Sequence, residues 1–198
     1  GPRYTSYPTA DRFGEDFTAD DYARALQMRN AARPAQPLSL YVHLPFCSTI
    51  CFYCGCNKIV TRDHGRSAKY IRYLGREIDI VGGLIEGAPP VQQLHWGGGT
   101  PTFLAREEMA QLMQMLRDGF AMAPDAEISI EVDPRKVGAE TIAFVGELGF
   151  NRISVGIQDF DPAVQRAVNR IQSEEETRTV IDAARAHGFT SVNVDLIY

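Results

Sequence analysis

Regular alternation between short β-rich runs and helical patterns is the feature that most constrains the fold of this sequence. The predicted strands cover residues 38–44, 91–96, 127–133, 152–158 and 191–198. Strands that alternate with helices form a parallel sheet with right-handed crossovers. The runs are also apolar enough to predict strands that are buried on both faces.

Helices are predicted in each interval between the later strands. Residues 71–85 and 109–120 carry apolar side chains every three or four positions, and a third helical pattern stops at Gly149. The last interval holds two helices. Asp161-Pro162 predicts the start of the first, and Ser173 with Glu176 predicts a capping box for the second, which ends near Gly188.

Polar, glycine-rich or reactive residues lie at or just beyond the end of every predicted strand. A parallel barrel builds its active site from many strands at this carboxyl-terminal rim. An open doubly wound sheet would instead concentrate chemistry at one switch point, and it stays the alternative architecture. The pattern therefore favours a barrel or partial barrel. These rim residues are the cysteines, residues 97–100, Glu131, Asp133, Gln158, Asp159 and Asp195.

Two parts of the chain differ in pattern. Residues 1–37 are rich in Pro, Tyr, Thr and Ala, hold one helical candidate at 19–28, and are predicted to form an arm. Residues 38–198 are predicted to form the core. Because the sequence starts without methionine and stops inside a predicted strand, we expect a fragment of a longer protein.

Composition and charge exclude several classes of protein. Apolar residues make up 44% and charged residues 23% of the chain, as in ordinary soluble globular proteins. The net charge of −5 argues against nucleic acid as the main partner. No apolar run is long enough to span a membrane and no leader sequence opens the chain, so a cytoplasmic protein is expected.

All four cysteines lie within ten residues, at Cys47, Cys51, Cys54 and Cys56. Disulfides between such close neighbours would be strained and would close almost no loop. Soft thiolates select zinc, copper or iron–sulfur clusters, and the second separated ligand pair of a structural zinc site is missing. The pattern favours an iron–sulfur cluster over zinc and over plain redox thiols.

Three cysteines on one loop can hold three irons of a cubane and leave the fourth iron open, although such clusters usually take four cysteines. Because it is a cysteine, Cys56 could in principle supply the fourth ligand of the cluster. Its single-residue gap from Cys54 makes it hard for both to reach different irons. An open iron needs a ligand from outside the protein.

The gaps of three and two residues, with Tyr53 before the third cysteine, resemble the signature of the radical S-adenosylmethionine superfamily. This resemblance implies that S-adenosylmethionine chelates the open iron and is cleaved to a 5′-deoxyadenosyl radical. It also implies that residues 97–101 bind the methionine amino group, where glycine lets the backbone approach a ligand closely.

Further segments resemble the oxygen-independent coproporphyrinogen III oxidase family of bacteria, and the similarity extends from end to end of the chain. The opening arm and the Cys54-Gly55-Cys56 pattern distinguish it from the related haem chaperone and from radical S-adenosylmethionine methyltransferases, which stay the alternatives. The segments are residues 1–9, 41–47, 54–58, 95–101, 131–134 and 158–160.

The resemblance implies an α/β fold, a partial parallel (β/α)6-type radical SAM barrel truncated before its last strand. It implies oxidative decarboxylation of two propionates of coproporphyrinogen III to vinyl groups, giving protoporphyrinogen IX in haem biosynthesis. It further implies a 4Fe-4S cluster, two S-adenosylmethionine molecules, a small redox protein as electron donor, and a monomer that binds neither nucleic acid nor membrane.

Site residues follow from the resemblance position by position. Cys47, Cys51 and Cys54 are the expected cluster ligands. Cys56 is expected beside the cluster in a catalytic role, and His43 is the second catalytic candidate, although the residue alone fits a structural histidine better. The first S-adenosylmethionine is expected to contact Tyr41, Gly98 and Glu131; the second, Tyr53, Gly99, Thr100, Gln158, Arg170 and Asp195.

Overall fold

The computed structural model describes residues 12, 14–32 and 36–197. Within them, five strands form one parallel sheet and two short strands form a separate parallel pair. The strands are β1 (Leu38–Leu44), β2 (Phe46–Cys47), β3 (Ile59–Val60), β4 (Val91–Gly98), β5 (Met122–Val132), β6 (Arg152–Gln158) and β7 (Ser191–Leu196).

The first helix precedes β1, and the later helices lie in the predicted intervals between the strands. Two short 3-10 turns, Pro101–Phe103 and Pro134–Lys136, follow β4 and β5. The α-helices are α1 (Ala19–Ala31), α2 (Gly65–Leu84), α3 (Arg106–Gly119), α4 (Ala139–Glu147), α5 (Pro162–Ala167) and α6 (Glu174–Ala186).

The strand order of the large sheet is β1-β4-β5-β6-β7, so each strand of this sheet pairs with the one that follows it in the chain. A doubly wound sheet reverses its order at a switch point, and no reversal occurs among the described strands. The barrel-type prediction is therefore preferred over the open doubly wound alternative. The sheet brings the carboxyl ends of all five strands to one edge.

The two faces of the sheet differ sharply in polarity. On one face a row of residues aligned by the register, Val42, Trp96, Ile130 and Ile153, is buried and joins the core formed with the helices. On the other face the aligned row is Tyr41, His95, Ser129, Arg152 and Ser191. The prediction of strands apolar on both faces is therefore wrong, since polar side chains alternate with apolar ones.

Helix ends follow the predicted capping signals. The Ser173 hydroxyl accepts from the Glu176 N–H at 3.1 Å, and the Glu176 carboxylate accepts from the Ser173 N–H at 2.7 Å. Asp161 caps α5 with Pro162 in its first turn. Gly149 and Gly188 follow α4 and α6 with φ of +96° and +81°, values at which glycine carries no steric penalty.

Several strand boundaries differ from prediction, and β7 ends at Leu196. Strand β5 begins at Met122 instead of residue 127, because Val91 pairs with Met122 and Gln93 with Glu127 across an irregular segment that contains Pro124. Strand β4 extends to Gly98. Tyr198, the predicted end of the last strand, lies outside the described residues.

The helix predicted within the arm is present and runs three residues longer than expected, to Ala31. The Asn30 side-chain amide donates to the Leu84 carbonyl at 2.8 Å, which ties the end of α1 to the end of α2. The arm's first eleven residues, and residues 33–35 near its predicted boundary, lie outside the described part of the chain. Between residues 12 and 197, no described helix combines the length and apolar character needed to cross a membrane.

Candidate active site

A cavity of about 240 Å³ opens at the carboxyl ends of the strands. It gathers every site residue predicted from the sequence except Tyr41 and His43. Side chains and backbone from the cysteine loop and from the ends of β4, β5, β6 and β7 contribute to it. The predicted residues that line it are Cys47, Cys51, Tyr53, Cys54, Cys56, Gly98, Gly99, Thr100, Glu131, Gln158, Arg170 and Asp195.

The cysteine loop is closed at its base by the short pair β2 and β3. The Ile59 N–H donates to the Pro45 carbonyl at 2.7 Å, and the Thr61 N–H donates to the Cys47 carbonyl at 2.8 Å. Its far side is tied to the region after α5, where the Asn169 amide donates to the Ile50 carbonyl at 2.7 Å. A loop held at both sides keeps its thiols in a fixed arrangement.

The four thiols are free. Cys56 is exposed, whereas the other three are half-buried. Burial raises the pKa of the Cys47 thiol, and burial and the neighbouring Cys54 raise the pKa of the Cys56 thiol.

The donor set fits a cluster better than a single metal ion. Among the described residues, no group of three or more His, Cys, Asp or Glu side chains is arranged around one ion. A structural zinc site needs four ligands about one point, whereas a cubane spreads its thiolates over separate irons. Free thiols on one clamped loop at a cavity therefore fit three ligands of an iron–sulfur cluster.

The glycines at the end of β4 lie where a side chain would not fit. A Cβ on Gly98, whose φ is +111°, would come within 2.6 Å of the His43 ring, and a Cβ on Gly99 within 2.7 Å of the Phe46 carbonyl oxygen. The Gly99 N–H donates to the Leu44 carbonyl at 2.8 Å. The absence of side chains thus lets this backbone lie against the base of the cysteine loop and face the cavity.

Glu131 is held by groups from the neighbouring strand. One carboxylate oxygen accepts from the Gly98 N–H at 3.1 Å, and the other lies 3.3 Å from His95 Nε2. The second ring nitrogen, His95 Nδ1, is 2.6 Å from the Ser129 hydroxyl. The chain from Ser129 through His95 therefore orients a carboxylate that lines the cavity.

Tyr41 and His43 adjoin the cavity without lining it. The Tyr41 ring stacks on His95, with centroids 5.8 Å apart and planes at 16°, and its hydroxyl is 3.0 Å from His43 Nδ1. His43 Nε2 is 2.9 Å from the Asn57 carbonyl, which can only accept, so Nε2 carries the proton and Nδ1 accepts from Tyr41. Both ring nitrogens of His43 therefore have hydrogen-bond partners, as expected of a structural histidine. Its catalytic role stays a prediction.

Asp133 pairs with two arginines that line the cavity with it. Arg135 Nη2 donates to Asp133 Oδ2 at 2.6 Å, and Arg170 Nη2 donates to Asp133 Oδ1 at 3.3 Å. The side chain of Asp133 is 10% exposed, that of Arg135 12% and that of Arg170 8%. Burial opposes ionisation, but hydrogen bonds from Arg135 and the charge of Arg170 hold the pKa of Asp133 below its ordinary value.

Arg170 is buried, although a residue near a helix end is usually solvated. Its Nη2 also donates to the Gly156 carbonyl at 2.7 Å, and its Nη1 donates to Cys51 Sγ at 3.6 Å. Its Nε is buried without a hydrogen-bond partner. The expected contact of Arg170 with the second S-adenosylmethionine would therefore add to contacts that the protein already makes.

Three further predicted residues border the cavity in unusual states. Gln158 has φ of +73°, a strained value for a residue with a side chain, and such strain is concentrated at functional sites. Burial raises the pKa of Tyr53 to about 12. Burial and the negative charge of Glu131 raise the pKa of Asp195.

The sequence interpretation assigned no role at this site to Arg135, His95 or Ser129, and it placed Asp133 at the rim without its arginine partners. Arg135 carries no local signal. His95 and Ser129 lie at alternate strand positions that a two-residue period assigns to the polar face. That period was the signal that could have identified them.

The chain is similar to a known protein family and to known proteins. The family model of the Radical SAM superfamily matches residues 41–198. The chain is 51% identical over its whole length to the oxygen-independent coproporphyrinogen III oxidase of Pseudomonas aeruginosa, and 50% identical to that of Escherichia coli K12. It covers 43% and 42% of these two relatives, so the chain spans less than half of their length.

Solved structures agree with the fold. A structure of the E. coli coproporphyrinogen III oxidase, described as a radical SAM enzyme, matches 98% of this chain and 44% of its own, with a TM-score of 0.90 and 50% identity. The hydrogenase maturase HydG matches with a TM-score of 0.52 at 13% identity, a likeness of fold alone. The chain belongs to the Radical SAM superfamily, and its sheet is the parallel sheet of that superfamily's partial barrel.

Proposed function

We propose that the protein containing this chain is an oxygen-independent coproporphyrinogen III oxidase, which converts two propionates of its substrate to vinyl groups. The similarity of the whole chain to curated oxidases of this name, at about 50% identity, carries the proposal. Cys56 and the cysteine loop lie within the matched region. The haem chaperone and the methyltransferase stay the alternatives that the assay must separate.

Cys47, Cys51 and Cys54 would hold a 4Fe-4S cluster, and two S-adenosylmethionine molecules would bind in the adjoining cavity. When bound, these groups supply a 5′-deoxyadenosyl radical that takes a hydrogen atom from the β-carbon of a propionate. The substrate then releases carbon dioxide and passes one electron to an acceptor, which leaves the vinyl group.

The residues of the chain would bind and orient these groups. Gly98 and Gly99 line the cavity, where the absence of side chains leaves room for a ligand. Glu131, fixed by His95 and Gly98, offers carboxylate oxygens that accept hydrogen bonds from hydroxyl or ammonium groups of the first S-adenosylmethionine. For the second molecule the proposed contacts are Tyr53, Thr100, Gln158, Arg170 and Asp195, which share the cavity.

The substrate and the partners are proposed without assigned contact residues. Coproporphyrinogen III carries four carboxylates, and Lys58 is a cation at the cavity, although its ammonium already donates to the Cys54 carbonyl at 3.0 Å. A small redox protein as electron donor, a monomeric state and a cytoplasmic location are proposed from the family resemblance.

Anaerobic reconstitution of the complete protein with iron and sulfide tests the cluster, with broad visible absorption and stoichiometric iron as the expected result. Coproporphyrinogen III, S-adenosylmethionine and a reductant then test the reaction. Release of carbon dioxide with formation of a vinyl porphyrinogen is expected. Stoichiometric haem binding without carbon dioxide release would support the chaperone instead, and methyl transfer without decarboxylation would support a methyltransferase.

A further inference from the structure

Two guanidinium groups converge on one of the expected cluster ligands. Arg135 Nη2 lies 3.7 Å from Cys51 Sγ, and Arg170 Nη1 lies 3.6 Å from the same sulfur. Both distances suit N–H donors to sulfur. By contrast, Cys47 Sγ lies 3.6 Å from a neutral donor, the hydroxyl of Thr100.

The carboxylate of Asp133 fixes the geometry of both arginines. It receives hydrogen bonds from Arg135 Nε at 2.9 Å and from Arg135 Nη2 at 2.6 Å, a two-pronged contact that fixes the plane of that guanidinium. It also receives Arg170 Nη2, whose position is further fixed by the Gly156 carbonyl. Two cations and one anion thus leave a net positive charge beside Cys51.

Both arginines face Cys51 as hydrogen-bond donors only, because a guanidinium group carries no acceptor and is not deprotonated in proteins.

We infer that Asp133 orients Arg135 and Arg170 as hydrogen-bond donors to Cys51 Sγ, and that this pair raises the reduction potential of the cluster. The physical reason is that reduction adds a negative charge shared with the thiolate sulfurs, which cationic donors at a sulfur stabilise; hydrogen bonds to the sulfurs are known to set cluster potentials. The inference rests on the cluster proposed above. In this inference Arg135 acts through Cys51 and sets how readily the cluster accepts an electron.

The test compares midpoint potentials of the reconstituted complete protein by redox titration monitored with electron paramagnetic resonance. Arg135→Gln removes one charged donor and should lower the equilibrium constant for reduction of the cluster roughly tenfold. For a one-electron couple this shifts the midpoint potential by about 59 mV in the negative direction. Arg135→Lys, which keeps the charge but loses the fork, should shift the potential less. Arg106→Gln removes a cation that pairs with Glu140 on the helical surface, and should leave the potential unchanged.

A second measurement uses the unmodified protein, because Arg135→Gln also breaks a buried ion pair. With 15N-labelled arginine guanidinium groups, electron–nuclear double resonance of the reduced cluster should detect nitrogen coupling from Arg135 and Arg170. A normal cluster with an unchanged potential in Arg135→Gln, or absence of nitrogen coupling, would overturn the inference. Failure of the unmodified protein to assemble any cluster would instead overturn the proposed function.

Discussion

Asp133 is the single residue on which the local charge balance of the site most depends. Its carboxylate lies between two nearly buried arginines, and removing one partner of such a pair leaves charge buried without compensation. The sequence placed Asp133 at the rim of the sheet, and the residue also caps the turn Pro134–Lys136. Its larger role depends on Arg170, which is distant in the chain.

Replacing Asp133 by Asn should therefore lower stability by about 3–5 kcal/mol, measured as a fall in the thermal unfolding midpoint. Because the native pKa of Asp133 is lowered, its contribution is present above its unfolded pKa of about 3.9. The contribution is lost as pH falls through the native pKa, so the difference between variant and parent should vanish in acid. The exposed Asp125→Asn is the control; an equal effect of both changes would contradict the argument.

Cys56 differs from the other three cysteines in exposure while lining the same cavity. If it lies beside the cluster and does not bind it, Cys56→Ser should assemble a full complement of iron and sulfide yet turn over substrate at least tenfold more slowly. Cys54→Ser should lose the cluster. Iron content and vinyl product formation measure the two effects, and loss of the cluster in Cys56→Ser would make Cys56 a ligand.

At the scale of elements, the turn after β4 is the one whose backbone most closely determines the site. Gly99 contacts the backbone of Phe46, which leads into the cysteine loop, so an added methyl group would collide with a carbonyl and not with a movable side chain. The motif itself was visible in the sequence. Its contact with the base of the loop is a consequence of the pairing between β1 and β4.

Gly99→Ala should consequently weaken S-adenosylmethionine binding at least tenfold, measured by equilibrium dialysis on the reconstituted complete protein. The matched control is Gly83→Ala in α2, where an added Cβ meets nothing within 4 Å. There alanine should leave binding unchanged and stabilise the helix by up to ~1 kcal/mol. Equal binding by the two variants would show that the close approach of Gly99 is unimportant.

At the scale of the whole molecule, the sheet has one apolar face, one polar face and two open edges. Strands β1 and β7 each pair on one side only within the described chain, and Val194 and Leu196 of β7 are 42% and 59% exposed. Open strand edges with apolar side chains are templates for association with other chains.

Residues 1–198 expressed alone should therefore self-associate, and Val194→Lys together with Leu196→Lys should shift the population toward monomer in light scattering. Ile80→Lys changes an apolar residue that is 66% exposed but lies on helix α2 and not on a strand, and it should leave the association unchanged. A chain that is monomeric without any substitution would contradict this expectation.

The sequence by itself determined the order of the helices and of the five strands of the large sheet, the helix caps and the cysteine loop, but not the short pair β2 and β3. These features are local, because hydrophobic period, cap chemistry and ligand spacing are each contained within a few neighbouring residues. The start of β5 was missed for the same reason: its irregular segment carries Pro124 and has no alternating pattern.

Only the tertiary structure decided which side chains meet. The contact of Ser129, His95 and Glu131 depends on the register between β4 and β5. The convergence of Arg135 and Arg170 on Cys51 brings together three segments, the last of them 119 residues from the first. The strand-end pattern predicted which residues lie at the carboxyl edge of the sheet. The contacts between particular side chains there depend on strand register and loop geometry, which no local pattern of residues contains.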